Sequence, residues 1–357
     1  MKTRKLAAVI AASALIVAAA ACAQTAAGKK PKVVILATGG TIAGSATSQT
    51  SAGYQSGAVA VDALINAVPQ LKDIADVSGE QVASIGSQDM NDEVWLKLGK
   101  RVNEILAKPD VAGIAITHGT DTMEETSYFL NLVVKSDKPV VLTGSMRPST
   151  AMSADGPLNI YNAVAIAADP NARGRGVLVT VDDDIHSGHD IVKQHTTDVG
   201  TMGSGEAGLV GATLFGKQTW FRTPVALNTK RSEFSIEGVN ALPRVDIIYA
   251  HANMSPDIIS SAVANGAKGL ILAGVGDGNC TAPALDALKA AIAKGVIVVR
   301  SSRTNGGIIR RNIEIDDDKT GTVASMELNP AKARVLLQLA LLKTKDAKQI
   351  QSYFDRY

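Results

Sequence analysis

Two threonines set among glycines, one beside an acid, are the side chains of this sequence best suited to covalent chemistry. Thr38 closes the apolar run Val33-Val34-Ile35-Leu36-Ala37 and opens Thr38-Gly39-Gly40-Thr41-Ile42-Ala43-Gly44. Thr120 follows Ile114-Ala115-Ile116-Thr117-His118-Gly119 and precedes Asp121-Thr122-Met123-Glu124-Glu125-Thr126. Each run reads as a buried strand that delivers a hydroxyl at its carboxyl end, where open α/β sheets bind ligands. Glycine lets the backbone come close to a ligand and present its N–H groups. Two hydroxyls so placed point to paired nucleophilic centres, which a base or a lowered pKa must activate. Taken singly, each run has a plainer explanation. The first is equally a tight connection or a phosphate cradle. The second is equally a helix start, with Thr120 or Asp121 as N-cap and Glu124 and Glu125 in the first turn.

The elements that would hold these residues alternate between strand and helix, which predicts a mainly parallel sheet. Val82 to Ile85, Val140 to Thr143 and Val177 to Val181 read as strands, and Asp92 to Leu106 as a helix with Val94, Leu98, Val102 and Ile105 on one face. A chain of 357 residues is long for one core. The expected organisation is a larger N-terminal catalytic α/β domain (30–221) with a mainly parallel sheet, a polar linker (222–243) and a smaller C-terminal α/β domain (244–357). In the latter, Val245 to Tyr249, Leu270 to Leu272 and Val296 to Val299 read as strands. Ser255-Pro256 signals a helix start, Gly266 and Gly295 signal stops, and Asn329-Pro330 caps the last long helix.

The runs at Ala37–Gly44 and Ile116–Thr126, in this order and separation, resemble those of bacterial type II L-asparaginases and the related glutaminase-asparaginases. Ile85-Gly86-Ser87-Gln88-Asp89-Met90-Asn91-Asp92, Met146-Arg147-Pro148-Ser149-Thr150, Ser153-Ala154-Asp155-Gly156-Pro157, Val299-Arg300-Ser301-Ser302-Arg303 and Leu328-Asn329-Pro330 extend the resemblance, which covers Lys32 to Tyr357. It implies hydrolysis of L-asparagine to L-aspartate and ammonia without metal or cofactor. It implies Thr38 as the nucleophile, with Tyr54, in the lid loop Ser51–Gly57, bonded to it. It further implies that Thr120, Lys193 and Asp121 form a triad in which Asp121 also holds the substrate's α-ammonium. It implies that Ser87 takes the α-carboxylate and that Gln88 assists at the amine. It implies, last, that Glu314 and Asn253 serve a neighbouring subunit's site, within a homotetramer built from intimate dimers. On residue type alone Tyr54 would be a loop aromatic, Lys193 a solvated charge, Ser87 a turn former, and Asp316-Asp317-Asp318 a solvated acidic loop.

Composition limits the rest. Hydrophobic residues make up 46% and charged residues 20%, ordinary for a soluble α/β protein. Lys2, Arg4 and Lys5 lead an apolar, alanine-rich stretch ending in Ala21-Cys22-Ala23, which predicts a signal peptide over 1–23 and a periplasmic protein. A lipid anchor on Cys22 is the alternative, and the stretch is short for a membrane span. Without the leader 33 basic residues face 34 acidic ones, so no nucleic-acid surface is expected. Leu106 and Ser136 stand where some exported relatives carry a disulfide, and Cys280 reads as a packed thiol. Asp182-Asp183-Asp184-Ile185-His186-Ser187-Gly188-His189-Asp190, followed by His195, has ligand residue types but no known metal-loop spacing. Two other functions remain open: a glutaminase-asparaginase, and a periplasmic amino-acid-binding protein without chemistry. Gln88 favours asparagine, because glutamine-active members more often carry an acid there.

Overall fold

The run Val33–Ala37 becomes a strand whose alternate side chains enter two different cores, as the period of two requires. Val34 and Leu36 pack with Ile114, Ile116, Leu142 and Val179 on one face of the sheet. Val33, Ile35 and Ala37 pack with Ala115, Val141 and Leu178 on the other. Burial on both faces is why these strands read as continuous apolar runs. The computed structural model describes residues 29–51, 53–304 and 306–357. The predicted leader, its cleavage pattern and Cys22 lie outside the described residues.

The larger sheet has eight strands: β1 (Lys32–Gly39), β2 (Asp76–Ile85), β3 (Val111–Thr117), β4 (Val140–Thr143), β5 (Val177–Val181), β6 (Asp184–Ser187), β7 (Gly211–Leu214) and β8 (Lys217–Trp220). Their order is β8-β7-β6-β5-β4-β3-β1-β2. The strands from β5 to β2 are parallel, and β6, β7 and β8 add antiparallel partners at one edge. The smaller sheet is wholly parallel and runs β9 (Val245–Tyr249), β10 (Gly269–Gly274), β11 (Ile297–Ser302) and β12 (Val323–Ala324) in that order. The mixed α/β fold, with a larger N-terminal and a smaller C-terminal sheet, is the one expected.

Helices α1 (Val61–Asn66), α2 (Asp92–Leu106), α3 (Met123–Val133), α4 (Gly156–Ala168), α5 (Asp257–Ala264), α6 (Ala282–Ala293), α7 (Pro330–Leu341) and α8 (Ala347–Phe354) cover the sheets. In α2 the expected boundaries hold, with Asn91 Oδ1 accepting the Val94 amide as N-cap. Its buried face runs through Trp95, Leu98, Val102 and Ile105, while Val94 is only half-buried. At α5 the start shifts by one: Pro256 is the N-cap position, and Ser255 Oγ accepts the Asp257 amide. Helix α7 starts as expected, with Asn329 Oδ1 accepting the Lys332 amide and Pro330 in its first turn. The polar stretch after Arg222 holds one 3-10 turn, Thr229–Arg231, and buries Phe234 and Ile236 in the core that also contains Ile271 and Leu336. Among the described residues no helix is long and apolar enough to cross a membrane.

The chain runs outward from β1 to β2, then crosses back to β3 on the other side of β1. That reversal leaves a crevice beyond the carboxyl ends of β1 and β3. Both threonine runs end there.

Candidate active site

Beyond Ala37 the pairing of β1 with β2 slips, from Ala37↔Gln81 to Gly39↔Ile85. Gly39 and Gly40 make the turn with φ of +110° and +81°. A Cβ on Gly39 would lie 2.3 Å from the Ile85 carbonyl oxygen, and one on Gly40 2.3 Å from the Gly119 nitrogen. The two turns are therefore pressed backbone to backbone, and glycine is required at both positions.

This packing separates the two threonines of the first run. Thr38 still belongs to β1, on the face of Val34 and Leu36, and is 2% exposed. Its Oγ1 donates to the Thr117 carbonyl at 2.9 Å, tying β1 to β3. Thr41 lies past both glycines in the short 3-10 turn Thr41–Ala43. Its Oγ1 shares a 2.7 Å hydrogen bond with the Tyr54 hydroxyl. The expected Tyr54–Thr38 pairing is corrected here: Tyr54 meets Thr41, because Thr38 points into the sheet and its hydroxyl is spent on a backbone carbonyl. Tyr54 pairs with Ala46 across a two-residue ribbon, Ser45–Ala46 with Tyr54–Gln55. Gly44 leaves room for the tyrosine ring, since a Cβ there would be 2.8 Å from Tyr54 Cδ2.

The second turn follows β3. Helix α3 begins at Met123 with Thr122 in the N-cap position and no side-chain cap. The capping role expected of Thr120 or Asp121 is thus not the one they play. Lys193 Nζ donates to Thr120 Oγ1 at 2.9 Å and to Asp121 Oδ1 at 2.6 Å. Thr120 Oγ1 in turn donates to Met146 Sδ at 3.3 Å. Asp155 fixes that methionine by accepting the amides of Met146 and Arg147 at 2.8 and 3.0 Å. Ser87, after β2, accepts the Asp121 amide on Oγ at 3.2 Å and the Thr122 hydroxyl on its carbonyl at 2.8 Å. Gln88 is exposed beside it and donates to Asp89.

His118 sits beneath this turn. Burial pushes its imidazole down to about 4, against a raising influence from its bond to the Gly119 carbonyl. It is neutral at neutral pH, and Nδ1–H is the tautomer that suits the carbonyl 2.6 Å away.

The structure thus joins Ser87, Thr120, Asp121 and Lys193 in one hydrogen-bonded cluster, to which it adds Met146 and Asp155, and it pairs Tyr54 with Thr41 beyond the Gly40 turn that packs on Gly119. It does not bring Glu314 or Asn253 to them. Both are exposed, and neither bonds to a residue of this cluster. The aspartate- and histidine-rich segment is spent on structure: His186 Nδ1 bonds Ser204 Oγ, and His189 Nδ1 bonds Asp190 Oδ1. Among the described residues no group of three or more His, Cys, Asp or Glu side chains is arranged to hold a metal ion.

Sequence alone could have separated Thr38 from Thr41. Residues 34, 36 and 38 share one strand face, so a continuous core face at Val34 and Leu36 already turns Thr38 inward. Met146 stood out only within a run that resembles the family, and its place beside Thr120 did not show, since that depends on the fold returning Asp155 beneath it.

Comparison with known proteins identifies the family. The model for the N-terminal asparaginase domain matches residues 32–226, and that for the glutaminase/asparaginase C-terminal domain matches 244–354. L-asparaginase 2 of Escherichia coli is 53% identical over 92% of this chain and 93% of its own length. A probable periplasmic L-asparaginase of Haemophilus influenzae is 51% identical over 92% of this chain and 93% of its own. The crystal structure of a probable cytoplasmic L-asparaginase from Campylobacter jejuni superposes with a TM-score of 0.89 at 46% identity, covering 92% of this chain and all of that one. The chain belongs to the asparaginase/glutaminase family.

Proposed function

We propose that this enzyme hydrolyses L-asparagine to L-aspartate and ammonia, with Thr41 as the nucleophile. The observation that carries the reading is the pair of engaged hydroxyls at the strand-order reversal, Thr41 with Tyr54 and Thr120 with Lys193 and Asp121. Thr41 attacks the side-chain acyl carbon and forms an ester. Its proton passes through the Tyr54 hydroxyl to the departing nitrogen, which leaves as ammonia. Water then cleaves the ester with help from Thr120 and Lys193, returning aspartate and free Thr41. The N–H groups of the Gly119–Thr120 turn are the donors for the oxyanion. Asp121 holds the α-ammonium, Ser87 the α-carboxylate, and Gln88 assists at the amine. Thr38 is the strut beneath Thr41.

Assembly and export belong to the same reading. Exposed Ile247, Tyr249, Ile308 and Ile313 lie close in sequence to Asn253 and Glu314, which supports a face covered by another subunit. Asn253 and Glu314 then complete a neighbour's site in a homotetramer of intimate dimers. The basic, alanine-rich leader supports export to the periplasm.

The test is ammonia release from L-asparagine and L-glutamine by the wild type, Thr41→Ala, Thr38→Ala and Thr120→Val. Thr41→Ala and Thr120→Val should lose roughly three orders of magnitude or more in kcat, as members of a unit that acts together. Thr38→Ala should keep activity within about tenfold and lose stability, about 1 kcal/mol for a buried hydrogen bond. An active Thr41→Ala beside an inactive Thr38→Ala would return the nucleophile to Thr38. Glutamine turnover equal to asparagine turnover at low concentration would make the enzyme a glutaminase-asparaginase.

A further inference from the structure

Lys193 is gripped at two points by one short stretch of chain. Asp121 takes its ammonium, and three residues on, Glu124 takes its backbone: Glu124 Oε2 accepts the Lys193 amide at 2.9 Å. The second carboxylate oxygen, Oε1, accepts Asn329 Nδ2 at 3.0 Å. Asn329 is the N-cap of α7, its Oδ1 already holding the Lys332 amide. Glu124 therefore ties the lysine's backbone to both the start of α3 and the start of α7. Behind it the buried ammonium of Lys332 donates to the His189 carbonyl at 2.7 Å and attracts Glu124.

The grip matters because the lysine has little else to fix it. Lys193 lies in a two-residue strand, Val192–Lys193, paired only with Met202–Gly203, and is followed by an exposed stretch. A four-carbon side chain on so short a ribbon has many rotamers and a mobile base. Holding both ends leaves the ammonium one place to be, between Thr120 and Asp121.

We propose that Glu124 is a positioning residue for the reaction, acting through Lys193 by fixing the backbone amide from which the lysine side chain reaches Thr120. This inference rests on the amide-hydrolysis reading above. It assigns to Glu124 a part distinct from helix capping, although a first-turn acid also favours the α3 dipole.

The test uses the full-length enzyme with Glu124→Ala, Glu124→Gln, Lys193→Ala and the double variant Glu124→Ala/Lys193→Ala. Glu124→Ala should lower kcat by about tenfold to a hundredfold, the range expected when a hydrogen bond to a charged group is lost, with KM changed less than about twofold. Glu124→Gln keeps the size and one carbonyl acceptor, so it should fall between wild type and Glu124→Ala. It carries the test if the alanine variant does not fold. The pH dependence of kcat should move in both, because the lysine no longer keeps its fixed relation to Asp121. In the Lys193→Ala background the Glu124 substitution should cost less than about twofold more, since it has nothing left to position. Near-wild-type kcat in both Glu124 variants, an unmoved pH profile, or a full additive loss in the double variant would each overturn the proposal. A wild-type enzyme inactive on asparagine and glutamine would instead sink the amide-hydrolysis reading, so the two failures are distinguishable.

Discussion

Glu125, next to the positioning acid, is a largely buried carboxyl. Burial pushes it up to about 7, Arg334 pulls it down, and Glu124 pushes it up further. Arg334 is a partial partner, 3.8 Å from Glu125 and 3.7 Å from Asp92, and it also lies over the Trp95 ring. The unfolded carboxyl releases its proton near pH 4.3, whereas the folded one keeps it to about pH 7. Over that window the unfolded state binds fewer protons, so stability falls as pH rises, and the full cost is present above about pH 7. Glu125→Gln cannot ionise. It should gain about 1–3 kcal/mol over wild type at pH 8 and nothing at pH 4, read from urea titrations at each pH. An equal difference at both pH values would exclude this cause. At the same scale, the inward turn of Thr38 could be read from the sequence, although the residue was expected to be the nucleophile, and the lysine's environment could not. Alternation along β1 turns Thr38 inward and leaves Thr41 to the turn. No local pattern reveals that Glu124 meets Lys193, because 69 residues and three strands separate them.

Among the elements, β11 does more than complete the small sheet. Its Arg300 and the Asp317 carboxylate are both fully buried and joined by two parallel hydrogen bonds of 2.7 and 2.8 Å. Thr322 and the Asn312 amide also donate to Asp317, and the remaining Arg300 bonds go to the carbonyls of Asp277 and Arg310. Burial would raise the Asp317 carboxyl, but these donors outweigh it and hold it below the usual range. Its stabilisation is present above the unfolded pKa and is lost as pH falls through the acid range. The network anchors the loop from Arg310 to Thr322 and so fixes Glu314 within it. Arg300→Met leaves Asp317 charged and buried, and should cost about 3–5 kcal/mol in urea unfolding, with new protease cleavage between 310 and 318. A cost below about 1 kcal/mol would mean the pair does not anchor the loop. From the sequence, Asp317 passes for one of three solvated acids, because burial of a charge is decided by a partner on another strand. Central strands such as Val140–Thr143 and Val177–Val181 read correctly, since burial on both faces writes itself as an apolar run. The edge strand Asp76–Ile85 showed only its last four residues, because most of its side chains are solvated or half-buried. The β7–β8 hairpin at the other edge, with three of its eight strand residues exposed, gave no strand signal.

At the scale of the whole molecule, Glu314 and Asn253 stand apart from the threonine cluster. Lys32–Tyr357 forms one compact unit with a core shared by both sheets, yet neither residue reaches the threonine cluster of its own chain. Asn253 holds a left-handed backbone at φ +57°, a conformation an asparagine tolerates and one that fixes its direction from the β9 end. Exposed Tyr249 and Ile313 flank the two residues in sequence. A sequence contains no separate mark for a residue that works in another subunit, so only the family resemblance singled these two out. The trans arrangement predicts complementation. Glu314→Ala and Thr41→Ala enzymes should each be nearly inactive alone. Dissociated, mixed in equal amounts and reassembled, half of the pairs combine one chain of each kind. In such a pair one site joins an intact Thr41 to the partner's intact Glu314, while the other site lacks both. Activity should therefore return to about a quarter of wild type, as an isologous pair with exchanged residues requires. Mixed oligomers confirmed by mass yet still inactive would place Glu314 in its own chain's site, or in no site at all.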